Sequence, residues 1–240
     1  MNPDTRKHRG AHPEDQNIFA PAQLPKLRQA LLDLSWLLSR GYAPHASLKL
    51  VGDHHALRER QRLAVSRAAC SDQMREDRKL KCLTLDAIRG QSLMIDGFNL
   101  IITVEAALSG GVMVHCRDDC IRDLSSVHGS YRSVTETEEA IRLISETLLT
   151  AEPASAIWLL DQPVSNSGRL AQKIREIAAR QNWPWEVRVV MNPDETIRTS
   201  DQIAVSSDSN IIDGVTRWVN LNNLLIREQL PQAWIIDLGG

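Results

Sequence analysis

Three short apolar runs that each end in aspartate constrain the fold of this chain most. The runs and their final carboxylates are Ser92–Ile95 with Asp96, Ala156–Leu160 with Asp161, and Ile203–Ser207 with Asp208. Apolar runs of this length are typical of strands that are buried on both faces of a parallel sheet. Because the carboxyl ends of parallel strands meet at one edge, we expect the three aspartates to lie together there.

Strand-like and helix-like segments alternate through the second part of the chain. Further apolar runs at Glu186–Met191 and Ala233–Ile236 predict strands, and helices fit residues 135–149, 169–181 and 219–228, the first of which shows apolar residues at helical spacing. This alternation predicts an α/β fold with a mostly parallel central sheet covered by helices. Residues 103–133 show little periodicity apart from a short strand-like segment at Val112–Val114.

The chain divides into three segments by pattern. Residues 1–20 are polar and predict a disordered tail, residues 21–90 predict a small helical basic region, and residues 91–240 form the α/β domain. Helical spacing is clearest over 26–40 and 57–70, whereas Pro44 and Gly52 indicate a loop with a short element. Residues 71–81 are charged and fit either a linker or a helix extension.

Charge is distributed unevenly along the chain. Residues 1–90 hold 16 Lys and Arg against 10 Asp and Glu, whereas residues 91–240 hold 12 against 20. A basic region beside an acidic domain suits a polyanionic substrate that is cut with the help of metal ions. Ordinary variation of surface charge explains the asymmetry equally well.

Several classes of protein are disfavoured by what the sequence contains. No apolar run approaches the roughly 18 residues that cross a bilayer, and the polar N-terminus does not resemble a secretory signal. Four cysteines in a chain of 240 residues fit reduced thiols in a cytoplasmic protein. The sequence contains neither a Walker A motif nor a dinucleotide glycine fingerprint, so ATPases and Rossmann dehydrogenases receive little support.

Several aspartates at one edge of a sheet favour the binding of a divalent cation. Neighbouring carboxylates repel one another, so they need a cation or partial protonation, and Mg²⁺ or Mn²⁺ with oxygen ligands suits phosphoryl chemistry. The candidate metal ligands are Asp96, Asp161, Asp208, Asp119 and Asp194, and the candidate substrate-binding residues are Asn99, Ser165, Ser167 and Arg132. Each of these aspartates is also open to a structural interpretation as a helix cap or turn residue.

Two short motifs resemble a known superfamily. Ile95-Asp-Gly-Phe-Asn99 resembles the opening strand motif of NYN-type nucleases in the PIN-like superfamily, and Ser206-Ser-Asp-Ser-Asn-Ile-Ile212 resembles its later acidic motif. The likeness covers roughly residues 90–240. The stretches 33–42 and 48–53 also resemble an uncharacterised prokaryotic family of unknown function.

The PIN-like resemblance implies a three-layer α/β domain and a metal-dependent nuclease that acts on RNA through Asp96, Asp161 and Asp208. The acidic residue usual on the helix after the first strand has no clear match, and Asp119, Glu136 and Glu138 compete for that role. Two alternatives therefore remain: a catalytically inactive module that binds RNA or protein, and a phosphatase or other phosphotransfer enzyme.

Overall fold

The protein is built around a six-stranded parallel sheet with helices on both faces. The computed structural model describes residues 8–125 and 131–239. Within them the strands are β1 Cys82–Leu83, β2 Ser92–Asp96, β3 Met113–His115, β4 Ile121–Asp123, β5 Ser155–Asp161, β6 Trp185–Val190, β7 Ile203–Val205, β8 Trp218–Val219 and β9 Ile235–Asp237. The helices are α1 Asp15–Ile18, α2 Leu24–Ser39, α3 Pro44–His54, α4 Glu59–Ala68, α5 Asp72–Lys81, α6 Gly97–Leu108, α7 Thr137–Thr150, α8 Ser167–Gln181, α9 Pro193–Arg198, α10 Ser209–Gly214 and α11 Leu221–Gln229.

The order of the strands places a topological switch point in the middle of the main sheet. The order is β1-β8-β7-β2-β5-β6, and every neighbouring pair is parallel. From β2 the chain moves outward through β5 to β6 and then returns to β7 on the other side of β2. Ligands of open α/β sheets bind in the crevice where the winding reverses, at the carboxyl ends of the strands. The prediction of an α/β fold with a mostly parallel sheet is confirmed.

Alternation along the strands divides the interior into two apolar cores. Leu93, Ile95 and Trp158 point toward α6, α7, α8 and α11 in one core. Met94, Ile157 and Leu159 point the opposite way, into a second core that also contains residues of α9, α10 and the N-terminal helices. Both faces of the sheet are therefore covered, which explains why its strands read as almost continuous apolar runs.

The N-terminal helical region packs on the main sheet and shares its second core. Leu27 of α2 and Ala64 of α4 are fully buried in the same cluster as Met94 and Ile157. Pro25 in the first turn of α2 and Pro44 at the start of α3 occupy positions where a missing amide hydrogen costs no intrahelical bond. The charged segment 71–81 is a separate helix, α5, which begins after the capping hydroxyl of Ser71.

Two predictions for the N-terminal half are wrong. Pro44 and Gly52 do not bound a loop, because both lie within α3, where Pro44 is the first residue and Gly52 packs against Arg62. Residues 8–20, predicted to be disordered, are folded: the side chain of Arg9 is 1% exposed beside that of Glu105, and the buried Asp15 pairs with Arg60. These ion pairs join residues distant in sequence, so local pattern gave no sign of them. The remaining residues of the predicted tail lie outside the described part of the chain.

The segment between β2 and β5 and the C-terminal strand form a second sheet. Its strands follow the order β4-β3-β9, in which β3 is antiparallel to β4 and parallel to β9. The last predicted strand therefore exists but belongs to this second sheet. In the described residues, no helix combines the length and apolar character needed to span a bilayer.

Candidate active site at the carboxyl edge of the sheet

Asp96 ends the central strand and begins the helix that follows it. Its carboxylate caps α6 by accepting a hydrogen bond from the backbone N–H of Asn99. Gly97 lies so close to β5 that an added Cβ would stand 2.9 Å from the backbone oxygen of Leu159 and 2.7 Å from the side chain of Leu160. Glycine at this position therefore lets α6 start immediately after the strand, and the aspartate is held at the sheet edge.

The register of the sheet brings Asp96 and the end of β7 together. Ile95 pairs with Val205, so Asp96 is next to Ser206, whose hydroxyl donates to the Asp96 carboxylate at 2.8 Å. The backbone N–H of Asp208 donates in turn to the Ser206 hydroxyl at 3.0 Å. Asp208 then caps α10 through a 2.8 Å bond from the N–H of Asn210. One hydroxyl thus links the first and last aspartates of the predicted set.

Asn99 holds the loop between β7 and α10 through Ser207. Its Oδ1 accepts hydrogen bonds from the backbone N–H and the hydroxyl of Ser207 at 2.9 and 2.8 Å. Asn222 of α11 donates to the same hydroxyl at 3.3 Å. The loop after β7 is therefore tied to α6 and α11 as well as to the strand end, so the position of Asp208 is set by three elements.

Four aspartates at this edge, which we call the acidic edge, are Asp96, Asp161, Asp194 and Asp208. Burial, followed by the charges of Asp208 and Asp194, raises the pKa of Asp96 to about 7, and the hydrogen bonds from Ser206 and Asn99 oppose this shift. Burial and then the charge of Asp194 raise the pKa of Asp161. Burial and then Asp208 raise the pKa of Asp194, which Arg198 opposes. The charges of Asp208 and Asp194 thus act on Asp96, and that of Asp194 acts on Asp161, but in the described residues no three of these carboxylates are grouped as the prediction of one shared site requires.

An open groove of about 350 Å³ runs beside Asp208. We call it the switch-point groove; its polar lining includes Asn99, Thr103, Ser207, Asp208, Asn210, Asp123, Arg67 and Arg122. Asp123 is 6% exposed and accepts a hydrogen bond from the hydroxyl of Thr103 at 2.9 Å. The Asp123 carboxylate was not among the site residues predicted from the sequence. The signal available was weak, since Asp123 ends a strand of only three residues.

Asp119, Glu136 and Glu138, the carboxylates that competed for the missing helix position, are engaged by other residues. Asp119 lies at the β3–β4 turn and pairs with the imidazole of His115 at 2.9 Å. Glu136 and Glu138 pair with His8 and Arg180, respectively. The acidic residue on the helix after β2 is Glu105, which is fully buried and bonded to Arg9, Tyr131 and Thr137. Its partners give Glu105 a structural role.

The predicted substrate-binding residues beyond Asn99 lie near the start of α8. Ser167 is the buried first residue of α8, and Ser165 is exposed in the preceding loop, where its carbonyl accepts from the N–H of Tyr131. Arg132 is exposed, and its carbonyl accepts from the guanidinium of Arg9 at 3.0 Å. Tyr131, the neighbour of Arg132, bonds to Ser165 and Asn166, so these residues lie around the loop between β5 and α8, and none of them lines the switch-point groove.

The oxygen atoms at the acidic edge suit Mg²⁺ or Mn²⁺ in type but not in number. Carboxylate and hydroxyl oxygens are the ligands that Mg²⁺ and Mn²⁺ prefer. Within residues 8–125 and 131–239, however, no three His, Cys, Asp or Glu side chains are grouped closely enough to hold a metal ion. Mg²⁺ is commonly held by one or two carboxylates with water and substrate oxygens in its remaining positions. The acidic edge therefore fits an ion that is bound by two aspartates at most.

Comparisons with known proteins give two family matches. Residues 26–81 match a family described as a protein of unknown function (DUF434), and residues 85–224 match a domain of unknown function (DUF5616). The chain is 34% identical over 189 residues to the uncharacterized protein MJ0935 of Methanocaldococcus jannaschii, an alignment that covers 76% of this chain and 90% of the relative. No solved structure matches the chain significantly. The boundary between the two matches falls at β1, where the helical region meets the sheet, and the chain belongs to the DUF5616 family.

Proposed function

We propose that this protein is a Mg²⁺- or Mn²⁺-dependent hydrolase of phosphodiester bonds, with RNA as its substrate. The observation that carries the proposal is the position of Asp96. It ends the central strand at the topological switch point, and burial together with Asp208 and Asp194 raises its pKa to about 7. A divalent cation would offset the negative charge of these aspartates. The open groove beside Asp208 would let a phosphate approach a cation bound there.

Each residue has a defined part in this proposal. Asp96 and Asp208 would hold the ion directly, since the charge of Asp208 acts on Asp96 and Ser206 joins the Asp96 carboxylate to the backbone of Asp208. Asp194 and Asp161 would act through water molecules and keep the edge negative. The bound ion would supply an activated water and stabilise charge on the phosphate. Asn99 would hold the β7 loop in place through Ser207.

A catalytically inactive binding module is the second candidate function. It is favoured by the absence, in the described part of the chain, of three metal-ligating side chains in one group. Such a module would bind RNA in the switch-point groove without cleaving it. A phosphatase would use the same acidic edge but would accept a small phosphomonoester.

Metal-dependent cleavage of RNA tests the proposal directly. A broad set of labelled RNAs is incubated with the pure protein in Mn²⁺ or in EDTA, and a generic phosphomonoester is assayed in parallel. We expect cleavage in Mn²⁺, and we expect Asp96→Asn to abolish it. Asp86→Asn is the matched control, because Asp86 is an exposed aspartate in the 3₁₀ turn between β1 and β2 and does not line the switch-point groove.

The outcomes separate the three functions. Binding of RNA without cleavage by the wild type favours the inactive module. Turnover of the phosphomonoester alone favours the phosphatase. Equal cleavage by wild type and Asp96→Asn would remove Asp96 from the mechanism and refute the proposed site.

A further inference from the structure

The N-terminal helical region contributes one wall of the switch-point groove. Ser66 and Arg67, in the last turn of α4, line this groove together with Asn99 and Asp208 of the α/β domain. The α4 residues therefore come from the segment that matches one family, and the aspartates come from the segment that matches the other. The groove exists only where the two segments meet.

The guanidinium of Arg67 is held in a fixed position at this wall. It donates to the backbone carbonyls of Asp123 and Ser125, the latter at 2.8 Å. Its nearest carboxylate contact is with Asp123 at 3.6 Å, longer than a hydrogen bond. The Asp123 carboxylate already accepts from the hydroxyl of Thr103 and from the N–H of Ser125. The guanidinium of Arg67 is thus positioned by neutral carbonyls and forms an ion pair with the buried Asp123, while part of it stays exposed.

The other guanidinium at the groove, that of Arg122, is more deeply buried than that of Arg67 and is bonded more closely to a carboxylate. Arg122 is 8% exposed, and its nitrogens donate to both carboxylate oxygens of Asp118 and to the carbonyl of Ser207. Its charge is therefore neutralised inside the protein. Arg122 braces the loop that carries Asp208, whereas Arg67 keeps 28% of its side chain exposed at the groove.

The remaining arginines in and beside α4 are engaged by carboxylates. Arg60 makes two bonds to Asp15, at 2.7 and 2.8 Å, and Arg62 bonds to Asp53 at 2.7 Å. Arg58 contacts Glu14 at 3.4 Å. These three line a separate, larger cavity beside residues 8–14. These three arginines are therefore paired with carboxylates away from the acidic edge, and Arg67 is the arginine of α4 that lines the switch-point groove.

We propose that Arg67 binds a phosphate of the RNA backbone in the switch-point groove, so that the helical region completes the active site. A phosphate in the groove would meet the positive charge of Arg67, and Asp208, which lines the same groove, would help to hold the divalent cation that supplies further positive charge. Arg67 acts as a positioning residue for the substrate. This inference rests on the proposed function for its substrate class.

Binding of RNA without cleavage tests the inference separately from the activity. The full-length protein is titrated with a short labelled single-stranded RNA in EDTA at several salt concentrations. For Arg67→Met we expect affinity to fall about tenfold and the slope of log affinity against log salt to fall by about 0.7, the loss of one phosphate contact on a single strand. Arg75→Met is the matched control, since Arg75 is a partly exposed α5 arginine that pairs with Glu76; it should change neither quantity.

A second variant separates phosphate binding from folding. Arg67→Lys keeps one charge and one donor for the carbonyls but loses the planar fork, so we expect a wild-type salt slope with weaker binding. If folded Arg67→Lys binds RNA as the wild type does, or if the wild type binds no RNA, the inference is overturned. Cleavage with wild-type kcat/KM in Arg67→Met overturns it too, while the proposed function stands. A reduced salt slope without any cleavage supports the inference and refutes the proposed function.

Discussion

Substitution of Asp96 by asparagine provides the sharpest test of the electrostatics at the acidic edge. The pKa of Asp96 is raised from an ordinary value of 3.8 to about 7 in the folded protein. The folded protein therefore retains a proton that the unfolded chain has already lost, so ionisation of Asp96 destabilises the fold as pH rises from about 4 to about 7. Asparagine has nearly the same shape and can still accept from Ser206, but it cannot ionise.

The magnitude follows from linkage. Each pH unit between the unfolded and folded pKa values corresponds to about 1.4 kcal/mol, so the wild type should lose about 3 kcal/mol between pH 5 and pH 8 through this residue. Asp96→Asn should lack that loss. We therefore expect the variant to gain about 3 kcal/mol relative to the wild type across this range, and Asp86→Asn to gain nothing.

Urea unfolding followed by tryptophan fluorescence at both pH values, in EDTA, measures the difference. An equal change in the free energy of unfolding for wild type and Asp96→Asn would refute the conclusion that Asp96 is buried beside uncompensated charge. Adding Mn²⁺ at pH 8 extends the test. At about one hundred times its dissociation constant, a bound ion should stabilise the wild type by about 2.7 kcal/mol. The variant should gain much less.

Three further predictions concern charges whose partners are known. Asp208→Asn should lower the pKa of Asp96, because it removes a negative charge that raises it; carboxyl NMR shifts against pH measure this, and an unchanged pKa would contradict the coupling. Glu105→Gln should destabilise the protein by about 3–5 kcal/mol in urea, because it leaves the buried Arg9 unpaired, and Arg9→Met in the same chain should recover part of the loss. Two arginines lower the pKa of Asp118 to about 2 against the effect of burial. Ionised Asp118 thus stabilises the folded protein above about pH 4, and this stabilisation is lost as the pH falls toward 2. Asp118→Asn should therefore reduce the decrease in the free energy of unfolding over that pH range.

The second half of the chain was largely predictable because its signals are local. Buried parallel strands must be apolar on both faces, so β2, β5, β6 and β7 were predicted within one or two residues of their observed bounds. The parallel arrangement then predicts which strand ends share an edge, and the structure places Asp96, Asp161 and Asp208 there. The strand β1 and the strand β8 have only two residues each, too short for any periodic pattern.

The sequence by itself determined the class of fold and the aspartates that end its strands, since both follow from short-range apolar patterns and from the geometry of parallel sheets. Only the tertiary structure decided which charges remain uncompensated. Pairing depends on contacts between distant residues, such as Arg9 with Glu105 and Arg78 with Asp118. The same kind of contact brings Arg67 of the helical region to the groove beside Asp208. Burial and pairing, which no local pattern records, thus distinguish the charges that stabilise this protein from those left to meet a ligand.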